Sequence, residues 1–148
     1  MTIALFFLAG LAWWSLLEYL LHRHVFHRFP DTLGKRHLEH HAQLSVRRLA
    51  IASPSSSISG AAIHAALFVP LLGVARGGAA LAGVLVGYVA YEAIHYGTHY
   101  TRPKSRFMKE LRRHHMLHHH ADRDAYFGVS STLWDRVFGT LPRKAAAR

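Results

Sequence analysis

The sequence predicts an all-α integral membrane protein, one domain over residues 1–148, with three spanning helices and a cytoplasmic helical cap. Three observations carry that prediction. Uncharged apolar runs of bilayer length recur along a chain that is 51% hydrophobic and only 18% charged. Positive charge, a net +10, is confined almost wholly to the segments between and after those runs. Fourteen histidines outnumber the eight acidic residues and gather where the apolar runs end. There is no cysteine, which removes disulfides, Cys-type zinc sites, iron–sulfur clusters and thiol nucleophiles from consideration. The length suits one domain and is too short for two.

The first run, Thr2 to Leu21, carries a single charge, Glu18. As a helix rising about 1.5 Å per residue it is about 30 Å long, the thickness of a bilayer core. A secretory signal peptide would begin with a basic region, whereas the first basic residue here is Arg23, so the run reads as a retained span. The second uncharged stretch, Leu49 to Ala75, opens with Ala52-Ser-Pro-Ser-Ser-Ser57, a loop and helix N-cap region. A helix from about Ser57 to Ala75 just spans, with Pro70 inside it. Arg76-Gly77-Gly78 then reads as a turn, and the third run continues from Gly77 past Glu92 to about Tyr100. Runs two and three are expected as a hairpin of spanning helices. A fourth span or a re-entrant segment stays open.

The distribution of charge orients these spans. Arg23, Arg28, Lys35, Arg36, Arg47 and Arg48 follow the first run, eleven more Lys/Arg follow Tyr100, and the hairpin turn holds only Arg76. With three spans, every positive charge but Arg76 lies on one side. The positive-inside rule makes that side cytoplasmic and places the N-terminus outside. Contact with anionic lipid headgroups accounts for the basic excess. Nucleic acid is not an expected partner, because it would call for a soluble basic face with interleaved aromatics.

Ten of the histidines fall into four spaced groups. These are His22 with His27, His37 with His40 and His41, His95 with His99, and His115 with His118 and His119. Residues at i, i+3 and i+4 share one helix face, so the second, third and fourth groups can each converge. His22 and His27, five apart, lie well past one face of an ideal α-helix. Either the helix unwinds after His22, or the two rings reach a cluster from different sides. Neutral imidazole suits zinc, iron, copper and nickel, and ten nitrogens are too many for one ion, so two are expected. His24, His64, His114 and His120 stand outside the spacings. His64 reads as a helix-packing or pore-side polar residue, and the other three as supporting or surface groups.

The carboxylates narrow the class. Ferritin-like di-iron sites need two Glu-x-x-His motifs and two further glutamates, and only Glu92-Ala-Ile-His95 fits. A nitrogen-dominated site would instead use carboxylates to orient imidazole N–H groups and to offset charge. Glu18 and Glu92 are the candidates for that supporting role.

His22-x4-His27, His37-x2-His40-His41, His95-x3-His99 and His115-x2-His118-His119, in this order between apolar runs, resemble the fatty acid hydroxylase / sterol desaturase superfamily. The closing stretch Phe127-Gly-Val-Ser-Ser-Thr-Leu-Trp-Asp-Arg-Val-Phe-Gly-Thr140 looks like the segment after the last histidine box in fatty acid 2-hydroxylase-type members. The resemblance runs from about Glu18 to Thr140. It implies a membrane-bound non-haem di-iron oxygenase that uses O2 and two external electrons to hydroxylate an unactivated C–H bond of a lipid acyl chain. It further implies that the ten box histidines are ligands to two iron ions, with zinc an alternative occupant in purified samples. Tyr91 and Glu92 would support the third box, and Asp135 would hold the tail beneath the site. The lipid substrate would enter from the bilayer, of the inner membrane in a bacterium or the endoplasmic reticulum in a eukaryote. Some relatives carry a cytochrome b5-like segment that this sequence lacks, so a separate ferredoxin- or cytochrome b5-like donor is expected. Sterol desaturation and carotenoid-ring hydroxylation are the alternatives within the superfamily. A histidine-rich membrane metal carrier is the alternative outside it, disfavoured because the histidines gather at one end of the spans.

Overall fold

A computed structural model describes residues 2–31 and 33–142. Three of the tail's basic residues, Arg143, Lys144 and Arg148, lie outside the described residues, as does the end of the single domain expected over 1–148. Six α-helices follow in order: α1 (Ile3–Leu21), α2 (Lys35–Ala42), α3 (Pro54–Leu72), α4 (Val74–Tyr100), α5 (Arg106–His120) and α6 (Leu133–Val137). A π-helical turn, His22–Phe26, continues α1, and a 3-10 turn, Arg47–Ala50, precedes α3. Among the described residues there is no strand. The stretches Ile3–Phe26, Arg47–Leu72 and Val74–Tyr100 are the three long and apolar enough to cross a membrane.

Two boundaries differ from the sequence expectation, both for local reasons. Helix α3 starts at Pro54 rather than near Ser57. The Ser53 hydroxyl caps it by accepting the Ser56 N–H at 3.2 Å, and Pro54 fills a first-turn position that needs no N–H donor. The hairpin turn lies not at Arg76-Gly77-Gly78 but at Gly73, whose φ of +78° lets one residue reverse the chain. Gly77 and Gly78 are therefore helical, inside α4.

Helix α4 is the centre of the membrane bundle, with α1 and α3 both packed against it. Its buried face reads Gly77, Ala80, Gly83, Val84 and Gly87, small residues that let neighbouring backbones come close. At the crossing with α1, a Cβ on Gly83 would run into the Phe7 carbonyl, and one on Gly10 into the Ala80 carbonyl.

The cap grows out of this bundle. At 27 residues α4 is about 40 Å long, more than the roughly 30 Å of bilayer hydrocarbon, so one end must project. That end carries His95 and His99. Helices α2 and α5, which carry the two HxxHH boxes, meet it with their rings, His40 against His95 and His115 against His99, and α6 is tied to α5 through Asp135 and His114.

Candidate metal centre

The ten spaced histidines divide into two groups of five. His22, His27, His37, His41 and His118 form one; His40, His95, His99, His115 and His119 form the other. Within each group the candidate nitrogen atoms all lie within 4.8 Å of one another. The groups share a wall, where the rings of His41 and His119 stack at 4.0 Å.

Each HxxHH box serves both groups, a consequence of helix geometry. Residues at i and i+4 are about 40° apart around an α-helix, whereas i+3 and i+4 are about 100° apart. The pairs His37/His41 and His115/His119 therefore stay together. The middle residues, His40 and His118, cross to the other group. Convergence of each box on one ion, which the spacing permitted, is not what forms.

The first box uses another device. A π-helix winds more widely than an α-helix and pairs residues five apart. The turn His22–Phe26 thus brings His22 and His27 to a ring separation of 5.2 Å without unwinding the chain.

Nitrogen geometry suits cations. Ligand nitrogens bound at about 2.1 Å and at right angles lie about 3.0 Å apart. In the first group the Nε2 atoms of His118, His27, His37 and His41 follow one another at 3.0 Å. In the second, His40, His99, His115 and His119 follow at 2.9, 2.8 and 3.0 Å. The fifth member of each group, His22 and His95, has a buried Nε2 with no hydrogen-bond partner. Such an orphaned acceptor costs about 1–3 kcal/mol unless something fills its lone pair, and a cation would.

Three imidazoles are fixed through their opposite nitrogen. His22 Nδ1–H donates to the Phe127 carbonyl at 2.5 Å, His95 Nδ1–H to Ala50 at 2.9 Å, and His118 Nδ1–H to Ala125 at 2.8 Å. Each bond leaves Nε2 as the lone pair facing the group. Burial keeps the box imidazoles of α2 and α5 neutral. It pushes His40 down to about 4 with help from the Arg36 guanidinium, and His41 to about 2 with help from His118, His27 and Arg123. Burial also takes His118 to about 4 against the opposing pull of the Ala125 carbonyl, and holds His37, His115 and His119 low. At neutral pH these rings are ready to bind metal.

The carboxylates bond to the chain around the imidazoles rather than to the rings, and backbone carbonyls take the N–H groups of His22, His95 and His118. Glu92 accepts the Ala52 N–H on both oxygens, at 3.2 and 3.3 Å, and so fixes the strip of chain that presents the Ala50 carbonyl to His95. Tyr91 stacks on the His95 ring at 5.7 Å. Glu18 accepts the N–H and hydroxyl of Ser130 at 2.9 and 2.8 Å, tying α1 to the segment that supports His22.

Sequence reasoning left the His114–Asp135 pair unassembled. Asp135, fully buried, accepts the Phe127 N–H and the Thr140 hydroxyl on one oxygen, and the Gly128 N–H and His114 Nε2–H on the other. Burial works to raise its carboxyl, but the bonds from His114, Thr140 and Gly128 outweigh that and hold it below the usual carboxylate range. Asp135 thus pins the tail, as expected of it, and with it the Phe127 carbonyl that orients His22. The available signal for His114 was its place four residues before His118, on one face of α5.

Comparison with known proteins gives this arrangement a family. The fatty acid hydroxylase family model matches residues 7–140. The chain belongs to the fatty acid hydroxylase family. Among its fatty acid hydroxylase relatives is the dihydroceramide fatty acyl 2-hydroxylase FAH2 of Arabidopsis thaliana, 36% identical over 94% of this chain and 62% of that protein. The Homo sapiens fatty acid 2-hydroxylase is 35% identical over 91% of this chain and 39% of its own length. The solved structure of full-length Scs7p, with only its hydroxylase domain visible, matches with a TM-score of 0.83 and 30% identity. That match covers 97% of this chain and 58% of the other. This chain therefore spans about two fifths to three fifths of the length of these relatives.

One further feature of this fatty acid hydroxylase fold meets the histidines. A cavity of about 540 Å³ lies between α1, α3 and α4, and its lining includes one histidine of each group, His37 and His95. Trp14, Tyr88 and Tyr91 contribute aromatic rings to the lining, and Arg36 and Ser53 polar groups.

Proposed function

We propose that this chain is a lipid acyl-chain hydroxylase whose ten box histidines hold two iron ions, five to each. A pair of irons held there would use O2 and two electrons from a separate ferredoxin- or cytochrome b5-like donor to oxidise an unactivated C–H bond, one oxygen atom entering the alcohol and the other leaving as water with two protons. The observation that carries this reading is the cavity whose lining includes a histidine of each group, His37 and His95. An acyl chain drawn sideways from the bilayer would lie between α1, α3 and α4, its C–H bonds beside His37 and His95. Trp14, Tyr88 and Tyr91 would hold it and exclude water, which protects a strong oxidant from side reactions. The polar headgroup would stay near the polar lining residues Arg36 and Ser53. The names of the relatives make the 2-position of a ceramide acyl chain the first to examine. The positive-inside rule puts the metal centre on the cytoplasmic side.

The test compares lipids from a host expressing this chain with those from one expressing His118→Ala, under aerobic, iron-replete growth with reductant supplied. Hydroxylated acyl chains are expected only with the unaltered chain. Unsaturated products in their place would assign desaturase chemistry. Identical lipid profiles in both hosts would remove the oxygenase reading. Purified His118→Ala is also expected to hold about half the metal, since only one group loses a ligand.

A further inference from the structure

We infer that the Trp13–His64 hydrogen bond is the end wall of the acyl cavity and sets the length of chain that it accepts. The inference rests on the acyl-chain reading above and concerns a residue outside the metal groups. His64, on α3, uses both ring nitrogens: Nδ1–H donates to the Gly60 carbonyl at 2.7 Å, and Nε2 accepts the Trp13 indole N–H, from α1, at 3.1 Å. The imidazole is thereby fixed across the cleft between two helices that otherwise meet through α4. Among the described residues this is the one side-chain hydrogen bond joining α1 to α3.

The lining of the cavity stops at this level on all three helices. Its deepest residues are Trp14 on α1, His64 on α3 and Val84 on α4. Below them Phe68 packs edge-on against His64 at 5.6 Å, and Gly83 and Gly10 draw α1 and α4 into backbone contact. From His22 to Trp14 and from His95 to Val84 the helices descend about 12–17 Å. An extended chain advances about 1.2 Å per bond, so the cavity accommodates about ten to fourteen carbons beyond the oxidised position.

An end wall predicts shifts of opposite sign from substitutions on either side of it. His64→Ala removes the imidazole and leaves Phe68 as the next obstacle, one helical turn or about 5.4 Å deeper, which is about four carbons. Gly60 also lines the cavity, one turn shallower, and a Cβ there meets nothing within 4 Å. Gly60→Leu therefore fills the cavity and shortens the accepted chain by a similar amount.

The experiment measures, by mass spectrometry, the chain lengths of acyl lipids retained by each purified full-length protein and of hydroxylated lipids in the expressing host. Retained lipids are expected to peak about four carbons longer for His64→Ala and about four shorter for Gly60→Leu. Because the readout is a ratio of lengths within one sample, a lower yield of folded protein leaves it unchanged. Retained distributions that are the same in all three proteins, or that shift in one direction for both variants, overturn the inference. Shifted retention with no hydroxylated product in any host sustains the wall and removes the proposed reaction instead.

Discussion

At the scale of single residues the centre depends on groups that touch no metal position. Asp135 illustrates this: its four hydrogen bonds hold the chain that presents carbonyl oxygens to His22, and through His114 it braces the helix that carries His118. In Asp135→Asn one acceptor oxygen becomes an NH2 group facing two buried donors. The loss of those charge-assisted bonds is expected to cost about 2–4 kcal/mol, read as a lower Tm in detergent. Metal affinity of the first histidine group should fall about 10–100-fold with the second unaffected, as a titration of the apoprotein with zinc would show. An unchanged Tm would mean that the buried carboxylate does not organise the tail.

At the scale of elements, two helix irregularities matter most. The π turn after α1 brings His22 and His27 onto one cluster, and a π turn is an α-helix with one residue in excess. Deleting the exposed His24 should restore α-helical winding and rotate His27 by about 100°. The expected result is loss of metal from the first group alone, seen as about half the metal content of the unaltered chain. Full retention would show that the wide turn is incidental. The second irregularity is the absence of side chains where α1 and α4 cross. Gly83→Leu forces the Phe7 backbone away and should lower Tm sharply, whereas Gly78→Ala, whose Cβ meets nothing within 4 Å, should be neutral or stabilise by up to about 1 kcal/mol through helix propensity. Equal effects of the two would show that the close crossing does not stabilise the bundle.

On the whole-molecule scale, the bundle places one end of three helices against lipid and the other against a polar cap, so its orientation in the bilayer decides which compartment the histidine groups face. The chain contains no cysteine, and single introduced cysteines therefore report sidedness cleanly. Val74, at the α3–α4 turn, is 80% exposed, and Lys104, between α4 and α5, is also exposed. In intact cells a membrane-impermeant thiol reagent should label Val74→Cys and not Lys104→Cys. Labelling of Lys104→Cys alone would reverse the topology and place the metal centre outside.

The sequence by itself determined the spanning runs, the polar cap and the ten imidazoles, because these follow from local properties: transfer of apolar side chains, segregation of charge, and helical spacing. It misplaced the hairpin turn, since Arg76-Gly77-Gly78 and Gly73 are equally plausible reversals until α3 is packed against α4. Which five histidines belong together was decided only in three dimensions. Helix spacing pairs His41 with His37 and turns His40 away, but which histidines of the other boxes each of them meets depends on how the helices pack. The same holds for Asp135 and for the Ala50, Ala125 and Phe127 carbonyls, whose partners lie on other elements. A backbone carbonyl has no sequence signature, so the outer support of the centre becomes visible only when the chain has brought it there.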